Sequence, residues 1–196
     1  PFSEGLAPES LKIHRLRSTW SAEGRLVTEA AEDLQLEPSW KCYSANSVRF
    51  GSVGSFPVRG FVPFCAVEDT SHGVTWAAAT TQGSSWQMEL YRQDFGLSLS
   101  GGVADREFGA WCKTLAPGAC FTAPKAVLTA VCSGVDTAAQ ALAENTRRAI
   151  EPLLPASEKT LPVLFNEFCS TWGKPTEETV LRHVRALKGK NLGYYV

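Results

Sequence analysis

One stretch gathers polar and aromatic side chains where parallel-sheet architectures keep their chemistry: Asn166-Glu167-Phe168-Cys169-Ser170-Thr171-Trp172-Gly173. It follows a short apolar run, Leu161-Pro162-Val163-Leu164-Phe165, whose length and β-branched and aromatic content predict a strand buried on both faces. After the loop, Pro175 and Thr176 lead into a helix, with Glu177 and Glu178 in its first turn and Val180, Leu181, Val184 and Leu187 recurring at three- and four-residue steps. Basic Arg182, Arg185, Lys188 and Lys190 crowd the far end, where they favour the helix dipole, and Gly189 can close it. A second apolar run, Leu192 to Val196, completes a strand–helix–strand unit with parallel strands. In α/β barrels the chemistry sits on loops at the carboxyl ends of strands, and Asn166 to Gly173 is the one complete loop of that kind. A parallel pair joined by one helix belongs in a larger sheet or barrel, so the unit is expected to continue beyond Val196. The initial Pro1, in place of methionine, fits a segment of a longer polypeptide.

Other chemistry-bearing groups are weaker candidates. Asp105-Arg106-Glu107 could mark a ligand site, but a solvated turn or an ion pair locking a connection is the better reading of a charge run. His72, beside Gly73, reads as a turn residue rather than a catalyst. The tryptophans Trp20, Trp40, Trp76, Trp86 and Trp111 could form a carbohydrate-binding platform, yet alternating strand positions favour core packing for most of them. Six cysteines (Cys42, Cys65, Cys112, Cys120, Cys132 and Cys169) and three histidines (His14, His72 and His183) are scattered. They make no CxxC pair and no cluster of zinc spacing, so no metal site is expected and the cysteines read mainly as small buried apolar residues.

The elements that must carry these residues follow from length and pattern. A chain of 196 residues has room for one sizeable domain and the start of another. With 19 basic and 20 acidic residues and a formal charge of -1, it shows no electrostatic footprint for nucleic acid or an anionic membrane. No apolar run approaches a bilayer span, and the compartment stays open. Leu11, Ile13 and Leu16 predict one extended piece, and Leu26 and Val27, after a Glu23-Gly24 turn, predict a second. Residues Ala31 to Pro38 fit a short helix or a loop, and short strands interrupted by glycines run from Trp40 to Phe64. Val74 to Ala79 and Ser85 to Arg92 form a hairpin-like series, the second piece alternating with Trp86, Met88 and Leu90 on one face. Asp94 and Gly96 turn into Leu97 to Ser100. After a long connection, Ala116-Pro117-Gly118-Ala119 predicts a type II turn, and Phe121 and Ala126 to Val131 supply a further strand. Asp136 is expected to cap a helix over Thr137 to Ile150, ended by Pro152 and Pro155. The fold class is therefore mainly β: an antiparallel β-sandwich over residues 1–134, a helical linker over 135–160, and from 161 to 196 a strand–helix–strand.

The ordered segments SSWQMELYR, SLSGGVADREFGAW, LAPGACFTAP and LPVLFNEFCSTWGKPTEE resemble the family 36 glycoside hydrolases, the microbial α-galactosidases, from about Trp40 to the last residue. The resemblance implies an N-terminal β-sandwich (a supersandwich), a helical linker and a (β/α)8 barrel, here truncated after its first strand-helix-strand. It implies a retaining hydrolase that removes terminal α-linked galactose with two aspartates on later barrel strands, neither of which is in this chain. Asp105, Asp136 and Glu167 are not substitutes for them. In the family an asparagine followed two positions later by a tryptophan lines the sugar pocket. The matching residues here are Asn166 and Phe168, the phenylalanine keeping a stacking face but losing the indole donor, with Trp172 as a second wall. Packing of the barrel mouth is the competing role for Phe168 and Trp172. The expected partner is an α-galactoside substrate, with room for a homo-oligomer formed through the sandwich, and two-carboxylate hydrolysis requires no cofactor. The alternative function is a non-catalytic carbohydrate-binding β-sandwich. A lone strand–helix–strand unit would expose sheet edges and an apolar helix face, so the chain is expected to need partner surface.

Overall fold

The computed structural model describes residues 2–3, 9–37, 43–93 and 96–196. The chain divides into two compact units, residues 1–146 and 147–196. Expectations placed on Trp40, Cys42, Pro38 and Asp94 lie outside the described residues.

In the first unit two antiparallel sheets pack face to face. The five-stranded sheet has the order β3-β2-β5-β6-β9, built from β2 (Leu11–Thr19), β3 (Ala22–Ala30), β5 (Gly60–Asp69), β6 (Val74–Thr80) and β9 (Ala126–Val131). The four-stranded sheet has the order β1-β8-β7-β4, from β1 (Phe2–Ser3), β4 (Tyr43–Ser52), β7 (Trp86–Gln93) and β8 (Gly96–Val103). Alternation along the strands decides what enters the layer between them. Ile13, Cys65 and Val67 from one sheet meet Phe50, Trp86, Met88, Leu90 and Leu97 from the other. The Trp86 ring stands edge-on to Phe50, with centroids 5.9 Å apart, and its indole N–H donates to the Pro57 carbonyl.

The second face of the five-stranded sheet is covered too. The helix α2 (Val135–Ile150) lays Ala138 and Leu142 against Phe64, Ala66 and Ala77. Being buried on both sides, β5 carries the nearly unbroken apolar run Phe61 to Val67. The helix begins at Val135, so Asp136 lies within its first turn and does not cap it. There the carboxylate still favours the helix dipole.

Three other expectations are corrected by register. The β2–β3 hairpin turns at Trp20 and Ser21, and Gly24 sits inside β3. With φ +76, Gly24 is an extra residue where the pairing steps from Arg17↔Arg25 to Ser18↔Glu23, a bulge rather than a turn. Trp20 at that hairpin tip is 93% exposed, so it packs no core. Phe121 precedes the last strand of the sheet, which starts at Ala126. The turn at Ala116 to Ala119 forms as expected, its closing N–H···O bond 2.9 Å long and Gly118 at φ +81.

The second unit holds β10 (Val163–Phe165), a one-turn α3 (Phe168–Thr171), α4 (Glu177–Leu187) and β11 (Leu192–Tyr195). The strands pair in parallel through α4, as the apolar runs predict. Thr176 caps α4 with a box: its hydroxyl accepts from the Thr179 N–H at 3.2 Å, and Thr179 Oγ1 accepts from the Thr176 N–H at 3.0 Å. Gly189, at φ +77, lets the chain leave the helix.

Candidate functional site

The loop Asn166 to Gly173 leaves the carboxyl end of β10, and its local bonds explain its shape. Asn166 Oδ1 accepts the Phe168 N–H at 3.0 Å, an Asx turn that starts α3 and leaves the amide NH2 of Asn166 to donate outward. The one-turn helix ends when Trp172 adopts a left-handed conformation, φ 52 and ψ 43, its N–H donating to the Phe168 carbonyl at 2.7 Å. Gly173 follows at φ +74, close enough to Phe168 that a Cβ there would lie 3.5 Å from the ring.

These turns set Phe168 and Trp172 edge to face, with centroids 6.2 Å apart at 66°. The two rings are 54% and 75% exposed, so neither packs a core in this unit. All three residues singled out in the sequence thus share one loop, which carries an amide side chain and two exposed aromatic rings. It contains no pair of carboxylates poised for acid–base work. Glu167 accepts from the Thr171 hydroxyl and its N–H donates to the Val196 carbonyl at 2.8 Å, so it braces the loop.

Behind the loop the structure assembles residues that no sequence spacing announced. Phe165 stacks on Tyr195 at 5.6 Å, and His183 of α4 stands edge-on to Phe165, its Nδ1 3.1 Å from the Tyr195 hydroxyl. Partial burial, aided by the charge of Glu167, raises the Tyr195 phenol above its ordinary value. On the neighbouring residue, the Tyr194 hydroxyl donates to Glu158.

The other candidates resolve into structural roles. Asp105 caps the one-turn α1 (Arg106–Gly109), with Oδ1 accepting the Phe108 N–H at 2.6 Å and Oδ2 accepting the Gln87 amide at 3.1 Å. Arg49 of β4 reaches Glu89, Asp105 and Glu107 at 3.3, 3.7 and 3.5 Å. The charge run therefore locks the connection onto the four-stranded sheet. His72 lies in the turn before β6, its Nδ1 2.7 Å from the buried Asp69 carboxylate. Burial pushes the Asp69 carboxyl up, but the hydrogen bonds from His72 and Ser71 outweigh it and hold it below the usual range. No cluster of three or more potential metal ligands occurs among the described residues. Likewise, none of their helices is long and apolar enough to cross a membrane.

A β-sandwich backed by one helix, then a parallel strand–helix–strand with a polar and aromatic loop at its carboxyl end, defines the architecture. Comparison with solved structures makes it more particular: the chain has the fold of the N-terminal portion of family 36 α-galactosidases. It superposes on an α-galactosidase from Lactobacillus brevis with a TM-score of 0.70 at 19% identity, covering 97% of this chain and 24% of that one. For the galactosidase domain of an α-galactosidase–sucrose kinase the values are 0.71 and 16%, covering 99% and 25%. An α-galactosidase of Geobacillus stearothermophilus crystallised with raffinose gives 0.70 and 14%, covering 96% and 25%. The chain thus spans about a quarter of the length of the proteins it matches. No protein-family model matches the sequence, and no curated protein matches it.

Proposed function

We propose that this chain is the N-terminal part of a retaining α-galactosidase that hydrolyses terminal α-linked galactose from galacto-oligosaccharides. One observation carries the reading: the fold match runs through the whole chain, sandwich, helix and parallel pair together, in several α-galactosidases. On this reading residues 1–134 are the sandwich, 135–160 the helical linker and 161–196 the opening of a (β/α)8 barrel. The sandwich supports the barrel and offers the surface for a homo-oligomer.

Within the first barrel loop, the Asn166 amide donates to a galactose hydroxyl while Phe168 and Trp172 present ring faces to the apolar side of the sugar. The chemistry itself needs two carboxyl groups about 5–5.5 Å apart, one ionised to attack and one protonated to assist the leaving oxygen. Those belong to later barrel strands, and Asp105, with both oxygens engaged at a helix cap, is not one of them. No metal or organic cofactor enters such a mechanism.

The test is hydrolysis of an aryl α-galactoside by this chain and by a polypeptide extended through a full barrel, measured side by side. Activity in the extended form alone supports the proposal. If neither form is active while this chain still binds galactosides, a non-catalytic sugar-binding sandwich takes its place.

A further inference from the structure

On the face of the five-stranded sheet that is turned toward the inter-sheet layer, β2 changes from core to charge along its length. Leu11, Ile13, Arg15 and Arg17 alternate onto that face, and pairing with β3 sets Val27 opposite Arg15 and Arg25 opposite Arg17. Arg15 is buried, with its guanidinium over the rings of Phe50 and Phe61 at 5.4 and 5.7 Å, and it pairs with Glu29 of β3. The Arg17 guanidinium also lies over Phe61, at 5.8 Å. Arg17 and Arg25 themselves are exposed. The bulge at Gly24 adjoins Arg25, and bulges re-aim the side chains beside them.

Nothing in the fold neutralises this pair. Glu29 is engaged by Arg15, and neither Arg17 nor Arg25 takes part in an ion pair among the described residues. Directly opposed residues of an antiparallel pair hold their Cβ atoms about 5 Å apart, and like charges placed so destabilise the pairing. Charges on an edge strand guard against further pairing, a role open to Arg25 because β3 is an edge. Arg17 has no such role, since β2 is paired on both sides. Arg59, exposed, immediately precedes β5, whose first residue Gly60 pairs with Ser18, so a third positive charge enters the same corner of the sheet.

We propose that Arg17 and Arg25 clamp a phosphate group, either free phosphate or the phosphate of a sugar phosphate. Two guanidinium forks rooted this close converge on one anion. A carboxylate fills one fork with its two oxygens, whereas a doubly charged phosphate has oxygens for both. Stacking on Phe61 orders one of the forks before the anion arrives. The bound anion also removes the repulsion between the two arginines, so occupancy and stability rise together. The site stands on the sandwich geometry alone and does not depend on the galactosidase reading.

The probes are sodium phosphate and glucose 6-phosphate, with glucose as the uncharged control, titrated into the 15N-labelled full chain at an ionic strength held constant with sodium chloride. The Nε–H resonances of Arg17 and Arg25 should shift and saturate with both phosphates and stay in place with glucose. Arg17→Gln and Arg25→Gln should each weaken binding at least about tenfold, the worth of one charge-assisted hydrogen bond. Lys174→Gln, which removes an exposed charge from the other unit, should leave it unchanged, separating the pair from net charge. Tighter binding of glucose 6-phosphate than of phosphate identifies a sugar phosphate as the ligand, and equal binding identifies free phosphate. In phosphate-free buffer Arg25→Gln should melt no lower than the parent, because it removes a like charge facing Arg17, yet it should lose the rise in melting temperature that phosphate gives the parent. The proposal is overturned if neither phosphate moves the two resonances, if binding survives both substitutions undiminished, or if Arg25→Gln melts well below the parent without phosphate, since Arg25 would then already have its partner within the fold.

Discussion

Buried and exposed cysteines differ here in what their surroundings do to the thiol. Cys65 lies between the two sheets, fully buried, and loss of water pushes its pKa up to about 12 despite the nearby Arg15 charge. Cys112, Cys120, Cys132 and Cys169 are exposed and free. Since only the thiolate reacts, iodoacetamide at pH 8 should label these four in the native protein and spare Cys65 until denaturant is added. Peptide mass spectrometry reads this directly, and early labelling of Cys65 would mean the inter-sheet layer opens. Asp105 carries a second residue-scale prediction. The Phe108 N–H first, then the Gln87 amide and the Arg49 charge, lower its carboxyl against a weaker opposing effect of burial. A folded value below the unfolded one stabilises above the unfolded value, about 3.9, and the gain disappears as pH falls through the folded value. Asp105→Asn keeps a capping oxygen but loses the charge. It should melt below the parent at pH 7, and the gap should narrow as pH falls below the unfolded carboxyl value.

Helix α4 shows how far a single element is set by its own residues. Thr176 and Thr179 bond each other's backbone N–H groups, and Glu177 and Glu178 occupy the first turn. Thr176→Ala should destabilise the unit of residues 147–196 by about 1 kcal/mol, measured as roughly fivefold faster native-state amide exchange along α4. Because the two threonines form one device, adding Thr179→Ala should cost less than its single effect. Such local signals made this element legible in the sequence, as did the strict alternation of Trp86, Met88 and Leu90 in β7. Other elements gave ambiguous signals. A glycine with positive φ serves a turn or a bulge equally well, so nothing local marked Gly24 as a bulge; the partner strand decides it. An acidic residue likewise suits either the cap or the first turn of α2, and Asp136 takes the latter. The ring pair of Phe168 and Trp172 was readable because one loop contains both. The cluster of Phe165, His183 and Tyr195 was not, because it joins residues of β10, α4 and β11 that only the parallel pairing of the two strands brings together.

At the scale of the whole chain, the two units differ in how much surface each element has against which to pack. Strands β5 and β7 each have a paired neighbour on both sides and contribute to the inter-sheet layer, and β5 is covered by α2 as well. In contrast, among the described residues β10 and β11 have only each other, joined at three residue pairs with a register shift between the first two. Their apolar Val163, Leu164, Tyr194 and Val196 remain exposed, as do Leu181 and Val184 of α4. A two-stranded pair is marginal by itself, and parallel strands are normally covered on both faces. This asymmetry predicts separate openings rather than one. Under native conditions, amides of residues 163–165 and 192–195 should exchange at least about a hundredfold faster than those of β5 and β7, since local opening free energies track buried contacts. Extending the polypeptide through a complete barrel should slow the first set, because β10, β11 and α4 then gain apolar surface to pack against, and change the second little, because β5 and β7 are already paired on both sides. Equal protection of both sets in this chain would mean that the parallel pair is already stable without such surface. The case for a barrel around it would then rest on fold likeness alone.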